Sequence, residues 1–324
     1  MTMFDLKRRR LVQAVGAGFL LPGLAPAVIA SVKDRPQLTD GVQSGDLMGD
    51  RAMVWSRCDR PARMVVEWDT RSMFTNPRRL VSPLADAGSD FTARVELSGL
   101  PVDQAIFYRV QFEDAQTGVS SEPWFGHLRS EPSQRRDIRF VWSGDTVGQG
   151  FGINPDIGGM RIYEAMRLRL PDFFIHSGDT IYADGPVPAT VTTENGRVWR
   201  NITTEAKSKV AETLDEYRGN YRYNLMDENV RLEYAPMRLQ RADNGGRIYR
   251  KLSYGPMLDI FVLDMRSYRS GNDDNLAARP EARTAFLGQA QLDWLKSGLK
   301  GSQAQWKVIA ADMPIGLGVP DGEM

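Results

Sequence analysis

The chain has 324 residues, enough for two domains and a leader. Its 41 basic and 41 acidic side chains cancel, which argues against a phosphate-backbone partner, since such partners call for a basic face. The single cysteine, Cys58, excludes an internal disulfide and leaves the redox compartment open, and the apolar fraction of 42% is that of a globular protein with a real core.

The first thirty residues read as a leader. Lys7-Arg8-Arg9-Arg10 is a positive start, Leu11 to Ala30 is almost all apolar or small, and Ala25-Pro26-Ala27-Val28-Ile29-Ala30 has cleavage-like spacing. Arg8-Arg9-Arg10-Leu11-Val12-Gln13 resembles the bacterial twin-arginine signal. The competing reading is a membrane anchor; Gly16, Gly18, Pro22 and Gly23 weaken a spanning helix, and a cleaved signal over 1–30 is the expectation. That reading implies the twin-arginine export machinery as a partner and a periplasmic or secreted location. No other segment approaches the roughly 18 apolar residues of a permanent span.

Residues 38–131 have an all-β pattern. Ala52–Trp55, Met64–Trp68, Phe91–Leu97 and Ile106–Phe112 are short runs rich in β-branched and aromatic residues, several alternating with period two and separated by turn residues. The spacing predicts a β-sandwich of the fibronectin or immunoglobulin kind, with Trp55 and Trp68 in its core. Glu131 to Asp137 is charged and contains Pro132, which sets a boundary before a second domain over 136–324.

There the pattern changes to strands alternating with helices. Ile138–Trp142 reads as a strand ending in Ser143-Gly144-Asp145, and Phe173–Ile175 as one ending in Gly178-Asp179. The helix expected between them, Met160 to Arg169, makes the pair parallel. A long amphipathic helix is expected from Thr203 to Arg218, a strand over Met257–Leu263 ending in Asp264-Met265-Arg266, a helix over Gly288–Leu299 and a strand over Trp306–Ala310.

Two aspartates at the ends of neighbouring strands lie where open α/β sheets place their ligands. With Tyr182, three residues beyond Asp179, they offer hard oxygen donors for a metal. An aspartate between two cations could bridge them, and a bridged pair generates a nucleophile from water and clamps both oxygens of a phosphoryl transfer. A tyrosinate would favour ferric iron. The alternatives are turn and cap roles for both aspartates. Asp264 and Arg266 also carry two readings: Arg266 could grip a substrate phosphate, or Asp264 could pair with Arg266 or Arg269 and tie the sheet to its loop. His127 reads as a strand residue of the sandwich. His176 alternates to the face opposite Asp179, which favours the core.

Taken in order, these motifs resemble the PhoD-type alkaline phosphatases and phosphodiesterases, a branch of the calcineurin-like metallophosphatases. Gly41-Val42-Gln43-Ser44-Gly45-Asp46, His176-Ser177-Gly178-Asp179-Thr180-Ile181-Tyr182, Leu263-Asp264-Met265-Arg266-Ser267-Tyr268-Arg269 and the Leu287–Leu295 helix carry the resemblance, across nearly the whole mature chain. It implies an N-terminal β-sandwich and a four-layer αββα core. It also implies ferric iron and calcium, and hydrolysis of small phosphate mono- or diesters outside the cytoplasm. Asp179 would bridge, Tyr182 would ligate iron, and Asp145 falls at the first metal motif, where better-known members carry Ser-Cys-Gln.

The chain also departs from the pattern. After Ser177 there is no histidine. Asp227–Leu232 runs directly into Glu233–Arg238, which reads as an internal deletion at Leu232/Glu233 where the third motif belongs, and the late Gly-Asp-x-His is not present before Met324. The expectation is therefore an incomplete core that binds metal weakly and hydrolyses phosphate esters poorly. An exported non-catalytic remnant or phosphate-ligand binder is the alternative.

Overall fold

A computed structural model describes residues 34–231, 247–271, 277–279, 281–311 and 313. The leader over 1–30, the Leu232/Glu233 junction and the stretch from 314 onward lie outside the described residues. No helix among the described residues is long and apolar enough to cross a membrane.

Seven strands come first: β1 (Leu38–Met48), β2 (Arg51–Cys58), β3 (Ala62–Asp69), β4 (Arg78–Ala85), β5 (Thr92–Leu97), β6 (Ala105–Asp114) and β7 (Trp124–Arg129). They make two antiparallel sheets, ordered β1-β2-β5 and β4-β3-β6-β7. Period-two alternation turns Met64, Val66 and Trp68 of β3 and Ile106, Tyr108, Val110 and Phe112 of β6 inward, where they meet Val54, Val95 and Leu97 of the facing sheet in one core. Trp55 and Trp68 are both buried, as expected.

The remaining strands form three small sheets, two of which enclose a second core. β8 (Phe140–Ser143) and β9 (Phe173–His176) pair in parallel, with α1 (Arg161–Arg167) in the crossover. β10 (Thr190–Thr192) and β11 (Val198–Arg200) form a short hairpin, followed by α2 (Leu214–Asn224) and α3 (Glu228–Arg231). β12 (Arg250–Tyr254) pairs antiparallel with β13 (Leu258–Val262), and β14 (Trp306–Ala310) lies parallel to β13 after the crossover helix α4 (Gln289–Gly301). Phe140 and Phe173 stack at 5.4 Å, Phe173 meets Tyr254 edge-on at 5.0 Å, and Leu258 and Ile260 close this core from the other sheet. Helix α4 lies close on β13: a Cβ at Gly298 would sit 2.6 Å from the Phe261 ring.

The residues from Arg35 onward make one compact unit. Two charge contacts tie its parts together. Arg250 of β12 pairs at 2.9 Å with Asp46 of β1, both buried, and Arg222 of α2 grips both carboxylate oxygens of Asp90, beside β5, at 2.7 Å.

Two expected helices differ. The segment Thr203–Arg218 is not one helix but a 3-10 turn at Glu205–Lys207 and then α2 from Leu214. The backbone between them is used elsewhere: Val187 N donates to Lys207 O and Ala211 N to Ala183 O, both at 2.8 Å. Thr213 and Glu216 then restart the helix as a reciprocal capping box. Helix α1 buries Tyr163, whereas Ile162 and Leu168 are exposed.

Candidate metal centre

Strands β8 and β9 end side by side, and the loops that leave them are pinned to each other. Ser177 N donates to Ser143 O at 2.8 Å, Asp145 N to Gly178 O at 3.2 Å, and Thr146 N to Asp179 O at 2.9 Å. The parallel ladder therefore delivers Asp145 and Asp179 to the same place. Both residues are left-handed, with φ of 58° and 49°, a region that aspartate visits more readily than most side chains. Val147, at φ 60°, is a β-branched residue in the same region and marks a turn held in place by its surroundings.

Tyr182 completes the cluster. Its hydroxyl donates to Asp179 Oδ2 at 2.8 Å and also to Asp145 Oδ1. Burial, followed by the hydrogen bonds to the two carboxylates, raises the phenol above its ordinary value. Three groups far apart in the sequence thus bring their oxygens together, two of them anionic. The ring is held from behind: a Cβ at Gly148 would lie 2.7 Å from Tyr182 Cγ and Cδ2, so only glycine permits that approach.

Around the cluster, Lys207 Nζ donates to Tyr182 O at 2.8 Å, and the ammonium lies over the Tyr223 ring at 5.4 Å. Burial pushes this amine down to about 8, while Asp184 pulls it up. Asn224 of α2 donates to Thr180 O at 2.7 Å. His176 is not a plain core residue. Its Nε2 lies 2.8 Å from the Thr146 hydroxyl, which lies 2.6 Å from that of Tyr163. Burial lowers the imidazole, and Asp145 and Asp179 raise it. The alternation that would turn it from the site stops where the strand ends, at Gly178 with φ 135°.

Asp264 and Arg266 lie on the turn just past the end of β13. The buried Asp264 carboxylate accepts from the backbone N–H groups of Arg266 at 3.0 Å and Ser267 at 2.8 Å. Its own N–H donates to Gln291 Oε1 at 2.8 Å, and Gln291 is fully buried. Asp264 thus shapes the turn, and the Arg266 side chain is exposed. His127 sits in β7 opposite Phe107.

Sequence reasoning missed Lys207, Asn224 and Thr146. Lys207 and Asn224 come from elements packed behind the Tyr182 loop, and no spacing in the chain announces them. Thr146 does follow Asp145 directly, and a hydroxyl next to a candidate ligand was a signal worth reading.

The described residues contain no group of three or more His, Cys, Asp or Glu placed to hold a metal ion. The donor set is two carboxylates and a phenol, which fits one hard cation and falls short of enclosing two.

The chain is similar to known proteins. A family model described as PhoD-like phosphatase matches residues 140–232 and 232–323, in two pieces that meet at Leu232. A second, described as the N-terminal domain of the PhoD-like phosphatases, matches residues 23–132. Alkaline phosphatase D of Bacillus subtilis (strain 168) is 25% identical over 330 residues, covering 84% of this chain and 55% of that protein. The solved structure of PhoD superposes with a TM-score of 0.66 at 20% identity, covering 84% of this chain and 61% of that one. The chain thus spans little more than half the length of these relatives, and with the fold and both halves matched, it belongs to the PhoD-like phosphatase family.

Proposed function

We propose that the chain is a phosphoric ester hydrolase of the alkaline phosphatase D kind, and that Asp145, Asp179 and Tyr182 hold its metal. The observation that carries the reading is the single hydroxyl of Tyr182 bonded to carboxylates from two adjacent strands. Such a knot of oxygens is a poor arrangement for stability alone, since it brings two anions together, and a good one for a hard cation. When bound, a hard cation such as ferric iron would act as a Lewis acid toward a phosphoryl oxygen and would supply hydroxide near neutral pH.

The chain's own residues have separable roles. Asp179, held by the backbone bond from Thr146, and Asp145, which faces it from the next strand, would hold the metal. Tyr182 supplies the phenol oxygen, and Lys207 holds its backbone. Arg266, an exposed residue on the turn past β13, is the candidate for the substrate phosphate. Residues 38–131 form the sandwich domain of this reading and 136–324 the metallophosphatase-like domain. The leader over 1–30 directs export through the twin-arginine route to the periplasm or beyond.

The activity of this chain is expected to be impaired. Three donors hold one cation incompletely, and even changes outside the ligands themselves cost about 10- to 100-fold in affinity or activity. Turnover of p-nitrophenyl phosphate by the purified mature chain, with iron and calcium supplied, tests both statements. A rate well below the ordinary ~10 per second that vanishes in Asp179→Asn is expected. A rate unchanged by Asp179→Asn and by Tyr182→Phe would remove the site assignment.

A further inference from the structure

A cleft of about 360 Å³ opens beside the oxygen cluster, and Asp145 lines it. Its volume falls within the roughly 300–1,000 Å³ of small-molecule sites. One wall is the turn from Asp145 to Gly148, the other is α1 with Ile162 and Met166, and Phe151 and Trp199 line it as well, in edge contact at 5.7 Å. Trp199 commits its indole N–H to Asn201 Oδ1 at 2.9 Å and Gly152 O at 3.3 Å, so what its ring offers the cleft is apolar. The buried hydroxyls of Thr146 and Tyr163 engage each other at 2.6 Å. The loop is preformed: Asn201 accepts from Gly152 N and donates to Gly150 O and Pro188 O. Ile162, the second residue of α1, is nonetheless 59% exposed, an apolar side chain that a guest would cover.

We propose that this cleft seats the ester group of the substrate and selects compact apolar groups, an aryl ring above all. The proposal rests on the functional reading above, because a phosphate at the oxygen cluster has its ester side next to the cleft through Asp145. A ring gains by leaving water against Phe151, Ile162, Met166 and Trp199. A polyol would place its hydroxyls against walls with few partners to offer, which is how such a site discriminates.

Calorimetry on the full chain, produced with iron and calcium, tests this with two probes, 2-naphthyl phosphate and glycerol 2-phosphate. The aryl ester is expected to bind about tenfold tighter or more. Ile162→Ser, at an exposed position, and Phe151→Ser are each expected to bring the two affinities within about threefold by weakening the aryl ester alone. Equal affinities in the unmodified chain, a preference that survives both variants, or no aryl ester binding at millimolar concentration overturns the proposal. Asp179→Asn, measured in parallel, reads the oxygen cluster. It weakens both esters by the same factor if the functional reading holds and neither if it fails, so the two failures are distinguishable.

Discussion

The ammonium of Lys207 donates a hydrogen bond to the backbone carbonyl of Tyr182 at 2.8 Å, from a side chain that is 1% exposed. A cation buried this deeply is unfavourable unless its partners compensate, and here the partner is the main chain of the residue whose hydroxyl joins both aspartates. Lys207→Met keeps the volume and removes the donor. It is expected to leave the fold intact and to lower iron affinity by about 10- to 100-fold. Metal content after dialysis, together with amide exchange over 178–184, checks this. Iron retention equal to that of the parent chain would make Lys207 a packing residue only.

Gly148→Ala tests the other side of the Tyr182 ring. The added methyl would lie 2.7 Å from two ring carbons, closer than carbon atoms approach. The ring or the loop has to move, at a cost of about 1–3 kcal/mol. Thermal denaturation and metal content should fall together. Gly185→Ala, where no atom lies within 4 Å of the new methyl, is the control expected to do neither.

The Asp46–Arg250 pair joins β1 of the sandwich to β12, with both side chains almost wholly buried. Removing one member strands the other charge, so Arg250→Met is expected to lower the unfolding free energy by about 3–5 kcal/mol. Asp46→Asn added to Arg250→Met should recover part of that loss, because the uncompensated charge disappears. Urea denaturation of the two single variants and the double variant measures the coupling.

Helix α2 carries a pH-dependent cap. Glu216 takes hydrogen bonds from the N–H groups of Glu212 at 2.7 Å and Thr213 at 3.0 Å, and from Lys209 Nζ at 2.6 Å. The Lys209 bond first, then the Glu212 amide, lowers this carboxyl from 4.5 to about 2. A depressed carboxyl contributes its stability above the unfolded value and loses it as the pH falls. The cap should therefore weaken between about pH 4.5 and pH 2 and hold above that window. Protection of the 214–217 amides, taken as exchange relative to the intrinsic rate at each pH, should fall on acidification in the parent chain. In Glu216→Gln that fall should be flattened.

Much of this architecture is legible in the sequence, for identifiable reasons. Strands such as β5 and β6 alternate cleanly because one face meets a core and the other is more open to water. The convergence of Asp145, Asp179 and Tyr182 is legible because two short parallel strands share the end at which they deliver their side chains. The break in the segment Thr203–Arg218 is not apparent from apolar periodicity, since Val210, Leu214 and Tyr217 keep helical spacing across it. The Thr213-x-x-Glu216 pattern of the capping box was the available signal there. Lys207 could not be foreseen, because its burial depends on the backbone of Val187 and Tyr182 arriving from another loop.

The left-handed backbone at Asp145 and Asp179 carries a consequence for how this protein can change. Glycine would relax both turns at no steric expense, so replacements that delete a carboxylate there stand to make the resting protein sturdier. On the proposed metal role, durability and chemistry are set against each other at these two positions, and a screen that rewards heat resistance alone would drift toward a robust chain without its two carboxylates.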